Sequence, residues 1–309
     1  MKPLYFWTQH YQGLGAEIAG INSGDTGKIE SKIFPDGERY LRVLTEVRER
    51  DVVLIGGTVD DRETLDVFDL ACAISAYGAK SLKIVIPFYG YATMERAVRV
   101  GEVVTAKTRA RIFSSIPIAP FGNQILLLDL HSEGIPHYFE GPVKTRHLYA
   151  KEVILREAKL LGGSNFVLGS VDAGRAKWVE SLANDLGVEA GFVYKRRAQN
   201  GEVSLAGVNV SVDGRDVVIY DDMIRSGGSL IQAAQAYKDQ GAKKISALTT
   251  HGVFTDGAIE KLKKSGLFEK IVSTNSHPNA VRINESAATP FLKVVSVAEV
   301  FASALSPRS

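Results

Sequence analysis

Of 309 residues, one is cysteine, Cys72. A lone thiol excludes an internal disulfide framework and fits a reducing compartment. It sits in "VFDLACAISAYG", among small and apolar residues at helical spacing, and reads as an inert core thiol. Long apolar runs are also missing: Ile125 to Leu128 and its like are far too short to cross a bilayer, so no membrane partner is expected. The start, "MKPLYFWTQHYQG", lacks a sustained apolar region and a small-residue cleavage site. No secretory signal is expected, and a cytoplasmic location follows. Charge of either sign is not in excess, with a formal net of +2, so no broad basic footprint for nucleic acid exists and anion binding must be local. No low-complexity tract or linker interrupts the chain, and no GxxxxGK[ST] loop occurs. "GLGAEIAG" (13–20) has the wrong glycine spacing for a dinucleotide fingerprint.

What is present is a series of short apolar runs rich in β-branched residues: 52–57, 82–87, 124–130, 165–170, 217–222, 245–250 and 270–275. Continuous apolar runs bounded by turns are the pattern of parallel strands covered on both faces. Helical stretches such as "TLDVFDLACAISAYG" and "SLIQAAQAYKDQG" separate several of them, which predicts α/β domains with mostly parallel sheets. The two halves are alike. A segment from Asp51 and one from Asp216 each run strand, polar loop, helix, Gly-Ala-Lys, strand. Gly78 and Gly241 supply the helix ends. The pattern predicts a duplicated unit, with domains at 1–146 and 147–309 that pack closely.

"VVIYDDMIRSGGSLIQAA" (217–234) carries the clearest chemistry. A buried strand ends in Asp221 and Asp222, passes through Arg225, Ser226, Gly227, Gly228 and Ser229, and opens a helix. The first N–H groups of a helix lack internal partners and, with the dipole, form an anion site. Glycines let the backbone approach closely, and serine hydroxyls add donors. Adjacent carboxylates repel phosphate but accept hydrogen bonds from sugar hydroxyls or hold Mg²⁺ through water. An anion loop beside two hydroxyl acceptors describes a sugar-phosphate site.

This stretch resembles the phosphoribosyl-diphosphate-binding motif of the type I phosphoribosyltransferase fold. With "FPDGERYLRV" (34–43), "IPFYGYATMERAVRVGEVVTAKTRARIFSSIP" (86–117), "LLDLHSEG" (127–134), "SVDAGRAKW" (170–178), "YKRR" (194–197) and "THGVF" (250–254), in that order, the whole chain resembles the ribose-phosphate diphosphokinases. The resemblance implies two tandem phosphoribosyltransferase-like α/β domains, the first for the nucleotide and the second for ribose 5-phosphate. It also implies transfer of the diphosphoryl group of ATP to the C1 hydroxyl, releasing AMP, with Mg²⁺ as cofactor. Catalysis of that kind rests on alignment and charge neutralisation.

By the same resemblance Lys195 and Arg197 are the catalytic pair of a loop placed just after a strand. Lys195 would act as a compact charge and Arg197 as a planar clamp. His131 would contact the ATP phosphates and, with Asp172, the metal, with Asp129 behind them. Phe34, Asp36, Gly37 and Glu38 would line the adenine pocket from a neighbouring subunit, which implies a homo-oligomer with active sites at its interface. Thr93 and Met94 stand where relatives carry an Arg and a Gln that contact ATP, and Arg96 or Arg99 would compensate. Gly101 replaces an Arg of the phosphate-activated relatives, and Arg225 replaces an Asp in the ribose-phosphate loop. "MER…GEVVTAKTRARIFSSIP", "SGGS" and "THGVF" look closer to the class II, plant-type branch, which implies phosphate independence and use of several nucleoside triphosphates. Two other readings stay open: a nucleobase phosphoribosyltransferase, and a synthetase-associated regulatory subunit without catalysis.

Overall fold

The computed structural model describes residues 1–171, 173–197, 203–287 and 290–306, with the backbone alone at 173, 195–197, 203–206 and 287. The chain forms two compact units, Met1–Tyr149 together with the stretch from Val297, and Ala150–Ser296. Among the described residues no helix is long and apolar enough to cross a membrane.

The first unit holds strands β1 (Leu4–Trp7), β2 (Asp25–Thr26), β3 (Ile29–Ile33), β4 (Arg39–Val43), β5 (Asp51–Ile55), β6 (Ser81–Ile86), β7 (Asn123–Leu128) and β8 (Lys144–Leu148). Six of them form a parallel sheet in the order β2-β1-β5-β6-β7-β8. The strands β3 and β4 stand apart as an antiparallel hairpin. Helices α1 (Gln12–Ile21), α2 (Asp61–Ala76) and α3 (Thr105–Ser114) accompany the sheet. Val52, Leu54, Ile84, Ile125 and Leu127 are buried, as expected where helices cover both faces. α2 starts where Asp60 accepts the Glu63 N–H at 2.7 Å, and presents Val67, Leu70, Ala71 and Ile74 to the core at helical spacing.

The second unit holds α4 (Lys151–Gly162), β9 (Phe166–Ser170), α5 (Ala176–Leu186), β10 (Glu189–Arg197), β11 (Val203–Val208), β12 (Asp216–Ile224), α6 (Gly228–Asp239), β13 (Ile245–Gly252), α7 (Ala258–Lys264), β14 (Lys270–Thr274), α8 (Pro278–Ala287) and β15 (Leu292–Val295). Its sheet runs β11-β10-β9-β12-β13-β14-β15, parallel throughout except for β11. The resemblance between the halves is therefore topological. The first sheet contains β1-β5-β6-β7-β8, the second β9-β12-β13-β14-β15, each read in chain order. Gly78 (φ +88°) and Gly241 (φ +90°) follow the equivalent helices α2 and α6 in the left-handed conformation that the sequence predicts.

The domain limits need one correction. The expectation that everything from 147 onwards forms one domain fails for the last helix, α9 (Ala298–Leu305), which belongs to the first unit. Its buried Phe301, Ala302 and Leu305 and the buried face of α1, Leu14, Ile18 and Ala19, belong to adjoining helices of that unit. Asn22 donates to the Ala302 carbonyl at 3.2 Å, Arg146 to Ala304 at 2.9 Å and Lys83 to Leu305 at 3.3 Å. Three side chains of the first unit thus satisfy the carbonyls that end α9, two of them as cations at the negative end of its dipole.

Candidate functional site

In the second unit the paired acids lie inside β12, which continues to Ile224 because Met223 and Ile224 still pair with His251 and Gly252 of β13. Strand ladder pairing thus outlasts the acids, and the loop is shorter than the sequence suggests. Successive strand residues face opposite sides of a sheet, so Asp221 and Asp222 are not equivalent. Asp222 is buried and ion-paired to Arg175 at 2.6 Å, while Asp221 is half-buried.

The turn from β12 into α6 depends on Gly227. Its φ of +73° is the left-handed conformation, and a Cβ there would stand 2.9 Å from Leu262 Cδ2. No side chain caps α6; the Ile231 N–H to the Gly227 carbonyl is the first turn's bond, and the N–H groups of 228–230 precede it at the positive end of the helix. Arg225, Ser226 and Ser229 are exposed around this opening. The "THGVF" segment braces it: Phe254 N–H donates to the Ile224 carbonyl at 2.9 Å and Thr255 N–H to Arg225 at 3.2 Å. α7 follows, and Lys261 Nζ lies 3.7 Å from where a Cβ on Gly228 would stand. The result is an open helix N-terminus flanked by Arg225 and Lys261, which suits a phosphate.

The equivalent turn in the first unit has the opposite character. At the start of α2, Asp60 caps the helix, and Asp61 accepts from Arg109 at 2.6 Å and from the Tyr91 hydroxyl at 3.0 Å. Glu63, buried, accepts from the Thr8 hydroxyl and pairs with His10 Nδ1 at 2.9 Å. The hydrogen bond that His10 donates to Glu63 raises the His10 pKa. Carboxylates fill the place that glycine and serine hold in the second unit, so this turn repels anions.

Nucleotide residues predicted for the first unit lie on three elements. Phe34, Asp36, Gly37 and Glu38 form the tip of the β3–β4 hairpin, closed by Gly37 N–H to Phe34 O at 2.9 Å and by Asp36 accepting the Glu38 N–H at 3.0 Å. Phe34 is 46% exposed there, an apolar ring held out in solvent. Thr93, Met94, Arg96 and Arg99 lie on an exposed segment between β6 and α3; Glu102 accepts the Val98 and Arg99 N–H groups. His131 is exposed just beyond β7, after Asp129, a buried non-glycine residue at φ +37°. Leu130 N–H donates to His147 Nε2 at 2.9 Å, which places the His147 proton on Nδ1. Strain and side-chain support of this kind collect where a strand end presents functional groups.

Lys195 and Arg197 lie within β10 rather than after it, paired with Leu205 and Val203 of β11 across a register shift at 194/195. Antiparallel pairing with β11 extends the strand beyond its apolar part. Their side chains, and Asp172 whole, lie outside the described residues. Among the described residues no group of three or more His, Cys, Asp or Glu is placed to hold a metal ion. Sequence reasoning missed Arg175 and Lys261. Arg175 stands inside the quoted "SVDAGRAKW"; Lys261 carries no local signal, because a Lys on a helix is ordinarily solvated.

Fold and turn together define the phosphoribosyltransferase-like α/β class, with an open helix N-terminus at the end of a parallel strand. Residues 4–116 match the family model of the N-terminal domain of ribose phosphate pyrophosphokinase, and 198–307 that of the phosphoribosyl synthetase-associated domain. A ribose-phosphate pyrophosphokinase of Fusobacterium nucleatum is 31% identical over 94% of this chain and 89% of its own. One from Pyrococcus abyssi is 32% identical over 91% of this chain and 94% of its own. The crystal structure of phosphoribosylpyrophosphate synthetase from Mycobacterium smegmatis superposes with a TM-score of 0.85 at 26% identity, covering 98% of this chain and 97% of that one. The chain belongs to the ribose-phosphate pyrophosphokinase family.

Proposed function

We propose that the chain transfers the diphosphoryl group of ATP to the C1 hydroxyl of ribose 5-phosphate, giving 5-phosphoribosyl 1-diphosphate and AMP. The observation that carries this reading is the open α6 N-terminus at Gly227, bracketed by Arg225 and Lys261 and set at the end of β12 beside Asp221. There the 5′-phosphate takes the N–H groups of 228–230 and the hydroxyls of Ser226 and Ser229. Asp221 and Asp222 stand at the sugar end of β12, one on either side of the strand, the latter held by Arg175. The nucleotide binds the first unit through His131, Arg96 and Arg99, with Phe34, Asp36, Gly37 and Glu38 contributed by another copy in a homo-oligomer. Exposure of Phe34 at a hairpin tip supports that contribution. Lys195 and Arg197 neutralise the migrating group.

Exposed His131 and the oxygen-rich ligands that Mg²⁺ prefers fit a site completed by nucleotide phosphates, with Asp172 as the second protein ligand. Bound there, Mg²⁺ would neutralise charge on the phosphoryl oxygens. The likeness of "MER…GEVVTAKTRARIFSSIP", "SGGS" and "THGVF" to the plant-type branch supports a class II-like subtype, independent of phosphate and broad in its triphosphate donor. The purified chain alone, given ATP, ribose 5-phosphate and Mg²⁺, is expected to form AMP and phosphoribosyl diphosphate in equal amounts by ³¹P NMR. No AMP would sink the proposal and leave a regulatory subunit. Rates with GTP, CTP and UTP, with and without phosphate, test the subtype; strict ATP use with an absolute phosphate requirement refutes it.

A further inference from the structure

Tyr237 lies on the helix that begins at the phosphate cradle, yet no part of it reaches solvent. Its ring occupies a slot between β9 and β10 that two glycines create. Gly169 and Gly191 are direct partners in the register of those strands. A Cβ on Gly169 would stand 2.9 Å from Cζ and Oη of Tyr237, and one on Gly191 3.2 Å from Cε1. Glycine inside a strand weakens it and marks a place of close approach. Two facing glycines at one ring show that the slot is shaped for an aromatic residue.

A phenylalanine would fill the same slot without a polar atom to satisfy. The hydroxyl is satisfied by backbone groups of both strands. It donates to the Gly191 carbonyl at 2.8 Å or to the Ser170 carbonyl at 3.1 Å, and takes the Ser170 N–H at 3.2 Å. Burial pushes the phenol well above its usual range, so the proton needed for this bridge stays in place throughout the working pH. Ser170 closes β9 two residues before Asp172, and Gly191 precedes Lys195 by four residues on β10.

We infer that Tyr237 is a positioning residue for diphosphoryl transfer, its hydroxyl holding the end of β9 and the start of β10 in fixed spacing against the phosphate-binding helix. The inference rests on the function proposed above. It adds that the strands leading to Asp172 and to Lys195 are registered against the cradle through one oxygen atom. Misplacing catalytic groups by about 1 Å is enough to lower a rate roughly a hundredfold.

Tyr237→Phe removes that oxygen and leaves the ring in its slot. The expected result is a kcat lower by about tenfold to a hundredfold, with KM for ribose 5-phosphate changed less than about twofold, because the cradle itself is untouched. A second variant, Gly169→Ala, pushes the ring back while keeping the hydroxyl, and is expected to show the same split. An unchanged kcat in Tyr237→Phe, or a loss shared equally between kcat and KM, overturns the inference. An inactive wild-type chain sinks the underlying function, and this inference with it; an active wild type with an unaffected Tyr237→Phe sinks this inference alone.

Discussion

At the scale of single residues the cradle is decided by what is missing from Gly227. Any side chain there meets both an unfavourable φ and Leu262. Gly227→Ala is expected to lose about 1–2 kcal/mol of stability from the left-handed backbone and to raise KM for ribose 5-phosphate at least about tenfold, since moving the N–H groups costs more than one charge-assisted hydrogen bond. Urea titration and steady-state kinetics check the two parts separately. Asp222 makes a different demand. Arg175→Met strands a buried carboxylate and is expected to cost roughly 3 kcal/mol, whereas Arg175→Met with Asp222→Asn recovers much of the loss, as a double-mutant cycle would show. His10 links stability to pH. Glu63 raises its folded pKa above the unfolded value, so the contribution is complete below about pH 6.5 and disappears as pH rises through the raised folded value. The melting temperature of His10→Gln should therefore fall furthest behind wild type near about pH 6 and draw level with it at higher pH.

At the scale of elements, the seven apolar runs became β5, β6, β7, β9, β12, β13 and β14, because burial on both faces leaves an uninterrupted apolar signature. Strands without that signature were illegible. The hairpin strands read "IESKI" and "RYLRV", half polar because only one face packs on the core. β10 carries its cations inside the ladder, where charge suggests a loop. Of the site, the Ser/Gly loop and its acids were readable because local backbone chemistry makes them. Arg175, Lys261 and Tyr237 were not, since their importance depends on partners distant in sequence. α9 shows the same limit: its apolar face is plain, but nothing local says that α1 receives it. Removing the chain from Val297 should uncover Leu14 and Ile18. Hydrogen exchange in α1 is then expected to rise sharply, with β12 and β13 of the other unit unchanged.

At the scale of the whole molecule, the two sheets share one strand order around unlike turns. Carboxylates close the first helix start and glycine opens the second, so two like frames differ where the helix begins.

The return of the chain at Val297 has a further consequence. In covalent terms the second unit is a guest carried between Tyr149 and Val297 of its host. A gene split after Tyr149 would leave the host missing its closing helix, while the guest travels complete. Replacing 150–296 by a flexible linker should yield a host that melts cooperatively, and calorimetry of that excised protein, beside one ending at Tyr149, would show which of them is whole.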